Sequence, residues 1–199
     1  MAEPEKSRTT YHHGALRTEL VDASVRLVES DGVGAVSLRR VAREAGVSPA
    51  APYHHFANRA ALLSAISAQG FHELAEDLAA VARTGDGPGE VAALVRCYVD
   101  FARRRPGHFQ VMWRPELSEP AKHPVVHESG ESALMQLTSV IDGLEVPDPH
   151  GLALALWAIG HGLASLMLDG QLAHTAEKWD TTADDLVERC LRVVSRMAH

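Results

Sequence analysis

The sequence predicts an all-α fold: an N-terminal three-helix head of the helix-turn-helix kind carried on a larger helical body, about nine helices in all. Three observations predict it. Apolar residues recur every three or four positions, as in Leu16, Leu20, Ala23, Leu27 and Val28 or in Leu63, Ile66, Leu74, Leu78 and Val81, which is the period of a helix face. Glycine and proline interrupt the chain at helix-length intervals, at Asp31-Gly32, residues 84–89, Pro106-Gly107 and residues 147–149. No stretch alternates with the period of a strand, and no internal repeat is found. The head is assigned to residues 1–57 and the body to residues 58–199.

Residues 1–12 are polar and read either as a disordered terminus or as a basic arm on a phosphate backbone, with Arg8 and Tyr11 as contacts. Residues 15–29 form a core-facing first helix. Ser37 is a good cap for a short second helix, in which Leu38, Val41, Ala42 and Ala45 share one face and Arg39, Arg40 and Arg43 point elsewhere. Gly46 ends it, because glycine takes the left-handed conformation without steric cost. Ser48 is expected to cap a third helix through His55, with Pro49 at its first position, where a missing amide matters least. Two short helices across a three-residue turn make a helix-turn-helix; the bland alternative is an ordinary helical hairpin.

Asn58 caps a helix to about residue 81, whose apolar stripe exceeds what a three-helix head needs, so it should join head to body. Further helices are expected at residues 90–105, 106–113, 128–141, 149–172 and 180–197.

Leu38, Val41, Ala42, Ala45, Gly46, Val47, Ser48, Tyr53, His55, Phe56, Arg59 and Leu62 stand, without a gap, as in the DNA-binding domain of the TetR family of bacterial transcriptional regulators, which residues 14–71 resemble. The departure is Pro52, where that family carries Leu or Ile; proline there removes the amide that would bond the cap carbonyl. The resemblance implies phosphate contacts from Tyr53, His54 and Arg59, with Ser37 and Arg39 on the preceding helix. The exposed side of the third helix adds Ser48, Pro49 and Ala50, small enough to approach base edges. That helix carries no Arg, Asn or Gln, the strongest direct base readers. Specificity is therefore expected from DNA shape and from Arg39 or Arg40.

Charge distribution agrees with a DNA-reading head on a body that avoids DNA. The chain holds 19 Lys and Arg against 26 Asp and Glu; seven of each fall in residues 1–57, so the net charge of −7 lies wholly downstream. No signal peptide is read at the N-terminus, and the charge-free run at residues 151–168 is expected to be a helix buried on all sides rather than a membrane span. A cytoplasmic protein is expected, with Cys97 and Cys190 as free thiols.

In the body, Trp157, His161 and Gly162 resemble the Trp-His-Gly signature of one C-terminal domain group of the same family. The resemblance implies a small-molecule effector held in the body and a regulator, most readily a repressor, that then releases DNA. Phe101, Phe109, Met112, Trp113, Met135 and Trp157 are candidate pocket walls, with His161 or His108 as the polar handle. Taken singly, each of these side chains reads more readily as plain core, although a pocket is expected somewhere in the body. The helices over residues 149–172 and 180–197 carry surplus apolar positions and are expected to form a two-fold dimer, which would read a pseudopalindromic double-stranded operator.

The rival is a metal- or redox-responsive regulator. His123 and His127 have the offset that puts two ligands on one helix face, near Glu128 and Glu131. No metal and no cofactor is assigned. No nucleophile elbow, phosphate loop or paired-carboxylate spacing is present, so no enzyme activity is expected.

Overall fold

The computed structural model describes residues 8–81 and 83–198, with no strand among them. Ten α-helices follow one another in these residues: α1 (Arg8–Asp31), α2 (Leu38–Glu44), α3 (Arg59–Ala79), α4 (Gly87–Arg104), α5 (Pro106–Met112), α6 (Pro115–Ser118), α7 (Pro124–Ile141), α8 (Pro149–Leu168), α9 (Gln171–Lys178) and α10 (Ala183–Val194). Short 3-10 turns stand at Val33–Ala35, Ala51–His54, Pro120–Lys122 and Ser195–Ala198.

The chain divides into two compact units. One is built from residues 1–69 and 107–127, the other from residues 70–106 and 128–199. The boundary expected at residue 57 falls in the loop before α3, and the first unit takes in the opening turns of α3 as well. Leu62, Leu63 and Ile66 are fully buried and complete a core with Leu20, Leu27 and Val28 of α1, Leu38 and Val41 of α2, and Phe56. Removing such side chains from water is what holds these three helices together.

Residues 107–127 join this unit because Val111 of α5 enters the same core. Gly107 makes the approach possible: a Cβ there would lie 2.9 Å from Val25 Cγ1 and 2.9 Å from Glu29 Cγ. The Gly107 amide in turn donates to Glu29 Oε1 at 3.3 Å.

At the N-terminus, α1 begins at Arg8, so residues 8–14 are helical rather than an irregular arm. Gly14 sits inside this helix; an interior glycine costs a helix about 1 kcal/mol and does not end it unless a positive φ is imposed. The side chains of Arg8 and Tyr11 lie outside the described part of the structure.

In the second unit α4 packs against α8, and α10 packs on α4 and α9. Gly160 allows the first crossing, since a Cβ there would stand 3.3 Å from Cγ of Tyr98. Phe101, Ile141 and Ala164 are fully buried in this unit. Glu90 is buried at the start of α4 and accepts from the Thr84 amide at 2.6 Å and the Gly85 amide at 2.8 Å, fixing the loop that leads into the helix.

Two expectations change here. The helix expected over 149–172 is two helices, because Gly170 takes φ +73° and its amide bonds Met167 O at 3.1 Å, which turns the chain into α9. Nor is α8 buried on all sides: only 33% of its apolar window is buried within the single chain, and Leu154 and Leu166 are exposed. By length and composition alone it is also the one described helix that could cross a membrane.

Candidate nucleic-acid interface

Ser37 caps α2 as expected. Its hydroxyl accepts from the Arg40 amide at 3.3 Å and starts α2, and Gly46 closes that helix with φ +67°. Arg39 and Arg43 stand four residues apart on the exposed side of α2. Arg40 does not join them, because its guanidinium is ion-paired with Asp31. Sequence reasoning misses Arg43 as a member of this face, although its four-residue offset from Arg39 carries the signal.

The segment after Gly46 differs from expectation. No α-helix starts at Ser48, and the Ser48 side chain makes no cap; residues 49–50 form a turn and only Ala51–His54 is helical, with 3-10 geometry. Pro52 is the cause. In an α-helix the Ser48 carbonyl would accept from the amide of residue 52, which proline lacks. It accepts instead from Ala51 at 3.0 Å, and Tyr53 bonds Ala50 O at 3.1 Å, so the segment tightens into three-residue turns.

Pro52 is itself buried, and Ser48, Pro49, Ala50, Tyr53 and His54 are exposed together, Tyr53 to 53%. His55 is half-buried with its ring centroid 6.4 Å from that of Phe56, and Arg17 stacks its guanidinium 5.2 Å from the same Phe56 ring. Arg59 turns inward. Its Nε donates to Val36 O at 2.9 Å and its Nη2 to Val33 O at 2.8 Å.

The expected pocket residues divide between the two units. His108, Phe109 and Met112 are buried on α5, with Trp113 just after it, in the unit that holds the head. Phe101, Met135, Trp157 and His161 belong to the other unit, where Phe101 is fully buried and Met135 is 61% exposed.

Trp157 and His161, one turn apart on α8, do come together, around Tyr98 of α4. The Tyr98 hydroxyl lies 3.1 Å from His161 Nδ1 and the rings meet edge-on at 6.3 Å. Burial pushes the Tyr98 phenol well above its ordinary range, while a hydrogen bond from Trp157 pulls the other way. Indole N–H can only donate. Burial lowers the His161 pKa and so favours its neutral ring. From spacing, Tyr98 is only an apolar-face residue, because spacing does not say which helix lies opposite.

A groove of about 440 Å³ runs between the end of α3 and α4, lined by Asp77, Ala80, Val81, Cys97, Asp100, Arg103 and Arg104. None of the expected pocket residues lines it. Burial pushes the Cys97 thiol up to about 11, which keeps it protonated at neutral pH.

A short helix, a left-handed glycine and an exposed, partly basic turn on a three-helix core define a helix-turn-helix protein of the DNA-binding class. Residues 20–66 match the tetR family of bacterial regulatory proteins, and residues 91–193 match the tetracyclin repressor-like C-terminal domain. The chain belongs to the TetR family, a family of regulators and not of enzymes.

Among similar proteins are a protein of unknown function from Rhodococcus sp. RHA1, 31% identical with a TM-score of 0.78 over 96% of this chain and 100% of that one, and the multidrug binding protein EbrR solved with imidazole, at 21% identity and TM-score 0.65 over 100% and 98%. The transcriptional regulator BetI of Brucella anthropi is 38% identical over 40% of this chain and 41% of its own. The uncharacterised regulator YobS of Bacillus subtilis is 27% identical over 49% and 51%. The chain thus spans about half the length, or less, of the curated relatives it matches.

Proposed function

We propose that this protein is a sequence-specific transcriptional regulator, working in the cytoplasm as a homodimer that binds a pseudopalindromic operator and releases it when a small molecule enters the body. The carrying observation is that Arg39 and Arg43 of α2 and, just after it, Ser48, Pro49, Ala50, Tyr53 and His54 are all exposed. The arginines suit phosphate or guanine edges, Tyr53 and His54 suit phosphate, and the small turn residues admit close approach to bases. The family membership supports the same reading, and with it repression as the mode of action.

We place the polar handle of the body at His161, whose Nδ1 lies 3.1 Å from the Tyr98 hydroxyl, a polar pair suited to orienting a ligand. An effector that prefers one state of the dimer shifts its population by that preference alone. The decisive experiment selects bound sequences from a random DNA pool and repeats the selection with candidate effectors. A two-fold consensus is expected, with an effector lowering affinity by roughly 5- to 150-fold. Failure to enrich any sequence at low ionic strength would overturn the proposal.

A further inference from the structure

We infer that Arg59 is a positioning residue for DNA reading, acting through the loop ahead of α2 and not through a phosphate. Three observations carry this. The guanidinium spends two donors, Nε and Nη2, on the carbonyls of Val36 and Val33, at 2.9 and 2.8 Å. The loop it grips ends on Ser37, the cap from which α2 and Arg39 start. Its own backbone sits in the first turn of α3, which Asn58 fixes by accepting from the Ala61 amide at 2.8 Å.

Apart from the burial of Val36 in the head core and the packing of Val33 against it, the stretch from Gly32 to Ser37 is held by a few backbone bonds. Ala35 bonds Gly32 O at 3.0 Å and Val36 bonds Val33 O at 3.2 Å, a single 3-10 turn. The planar fork of arginine matches two carbonyls at once, and a lysine ammonium cannot reproduce it. The fork therefore ties the start of α3 to the start of α2. Any displacement of the first turn of α3 is transmitted to the cap of the arginine-bearing helix through these two bonds. The inference rests on the DNA-binding reading of the head, and the test separates the two.

The test compares the full chain with Arg59→Lys and Arg59→Ala. First, amide hydrogen exchange without DNA reads the fork directly: both variants should exchange faster at Ala35 and Val36 by about tenfold, as loss of a charged donor allows. Unchanged exchange there overturns the inference, whatever DNA does. Second, binding to the sequence enriched by the wild-type chain is titrated against salt. A positioning role predicts that Arg59→Lys weakens binding about tenfold while the slope of log affinity against log salt stays the same. A phosphate-binding role predicts the reverse: Arg59→Lys keeps affinity and slope, and Arg59→Ala flattens the slope by about 0.9, the value of one neutralised phosphate. Absence of any DNA binding by the wild-type chain sinks the DNA reading and this inference with it, whereas normal wild-type binding with a flattened Arg59→Ala slope sinks the inference alone.

Discussion

Burial acts on individual side chains in this protein in two opposite ways. Glu90 is 5% exposed, yet its carboxylate is answered by two backbone amides, at Thr84 and Gly85. Replacing it with Ala leaves both donors facing an apolar methyl, so Glu90→Ala should cost about 2 kcal/mol in denaturant unfolding. Glu90→Gln, which keeps one acceptor oxygen, should cost less.

His161 is the opposite case, a group whose burial disfavours its charge. Its folded pKa lies below the unfolded value of about 6.5, so the unfolded chain takes up protons first as pH falls. The contribution of the neutral ring is therefore present above about pH 6.5 and is lost as pH falls toward and through the lowered folded value. Protonation would also put a hydrogen on both ring nitrogens, including the Nδ1 that faces the Tyr98 hydroxyl. His161→Asn should flatten this part of the pH–stability curve, read as the difference between variant and parent by thermal melting at pH values of about 7.5 and about 5.5.

Among the elements, the segment proposed to read DNA is one whose shape depends on a single residue, Pro52. Pro52→Ala returns an amide to position 52, and the Ser48 carbonyl can then accept from it in place of Ala51. The turn at residues 49–50 should join an α-helix, and a sequence selection should give a consensus different from that of the parent, since the same side chains would then face the duplex at helical rather than 3-10 spacing. An unchanged consensus would show that Pro52 does not shape recognition.

The proline is visible in the sequence, and the missing bond at that point follows from it; the collapse of the whole helix to 3-10 turns does not, because Ser48 and Pro49 argue for a helix start. Helices α1 to α4 are legible in this way, through caps at Ser37 and Asn58 and the left-handed Gly46. What spacing cannot carry is partnership between distant segments. The entry of Val111 into the head core, the inward turn of Arg59 and the meeting of Tyr98 with His161 join residues far apart along the chain, and one-dimensional periodicity contains no distances.

At the scale of the molecule, α8 poses the largest unmet demand. It is apolar along its whole length, yet one chain buries only 33% of it, and Leu154 at 62% and Leu166 at 45% face outward. On α10, Val193 is 63% exposed, in the same unit of the chain. Exposed large apolar side chains on two helices of one unit suggest this part of the body as the place to test for the proposed dimer interface. A self-complementary contact is the simplest occupant, because two-fold symmetry places each helix against its own copy and so covers both faces at once. One helix-turn-helix head also buries little surface for finding a site against a genome of competitors, which favours the proposed dimer.

Charges set against this face test the demand without touching the head. Leu154→Glu combined with Val193→Glu should yield a folded monomer by sedimentation at micromolar concentration, with helical content unchanged. Affinity for the selected operator should fall by at least about tenfold, because each half-site then binds alone. The separation of the two readouts matters. A double variant that stays dimeric would place the interface elsewhere on the body, and a clean monomer that binds the full operator as tightly as its parent would remove the need for a dimer altogether.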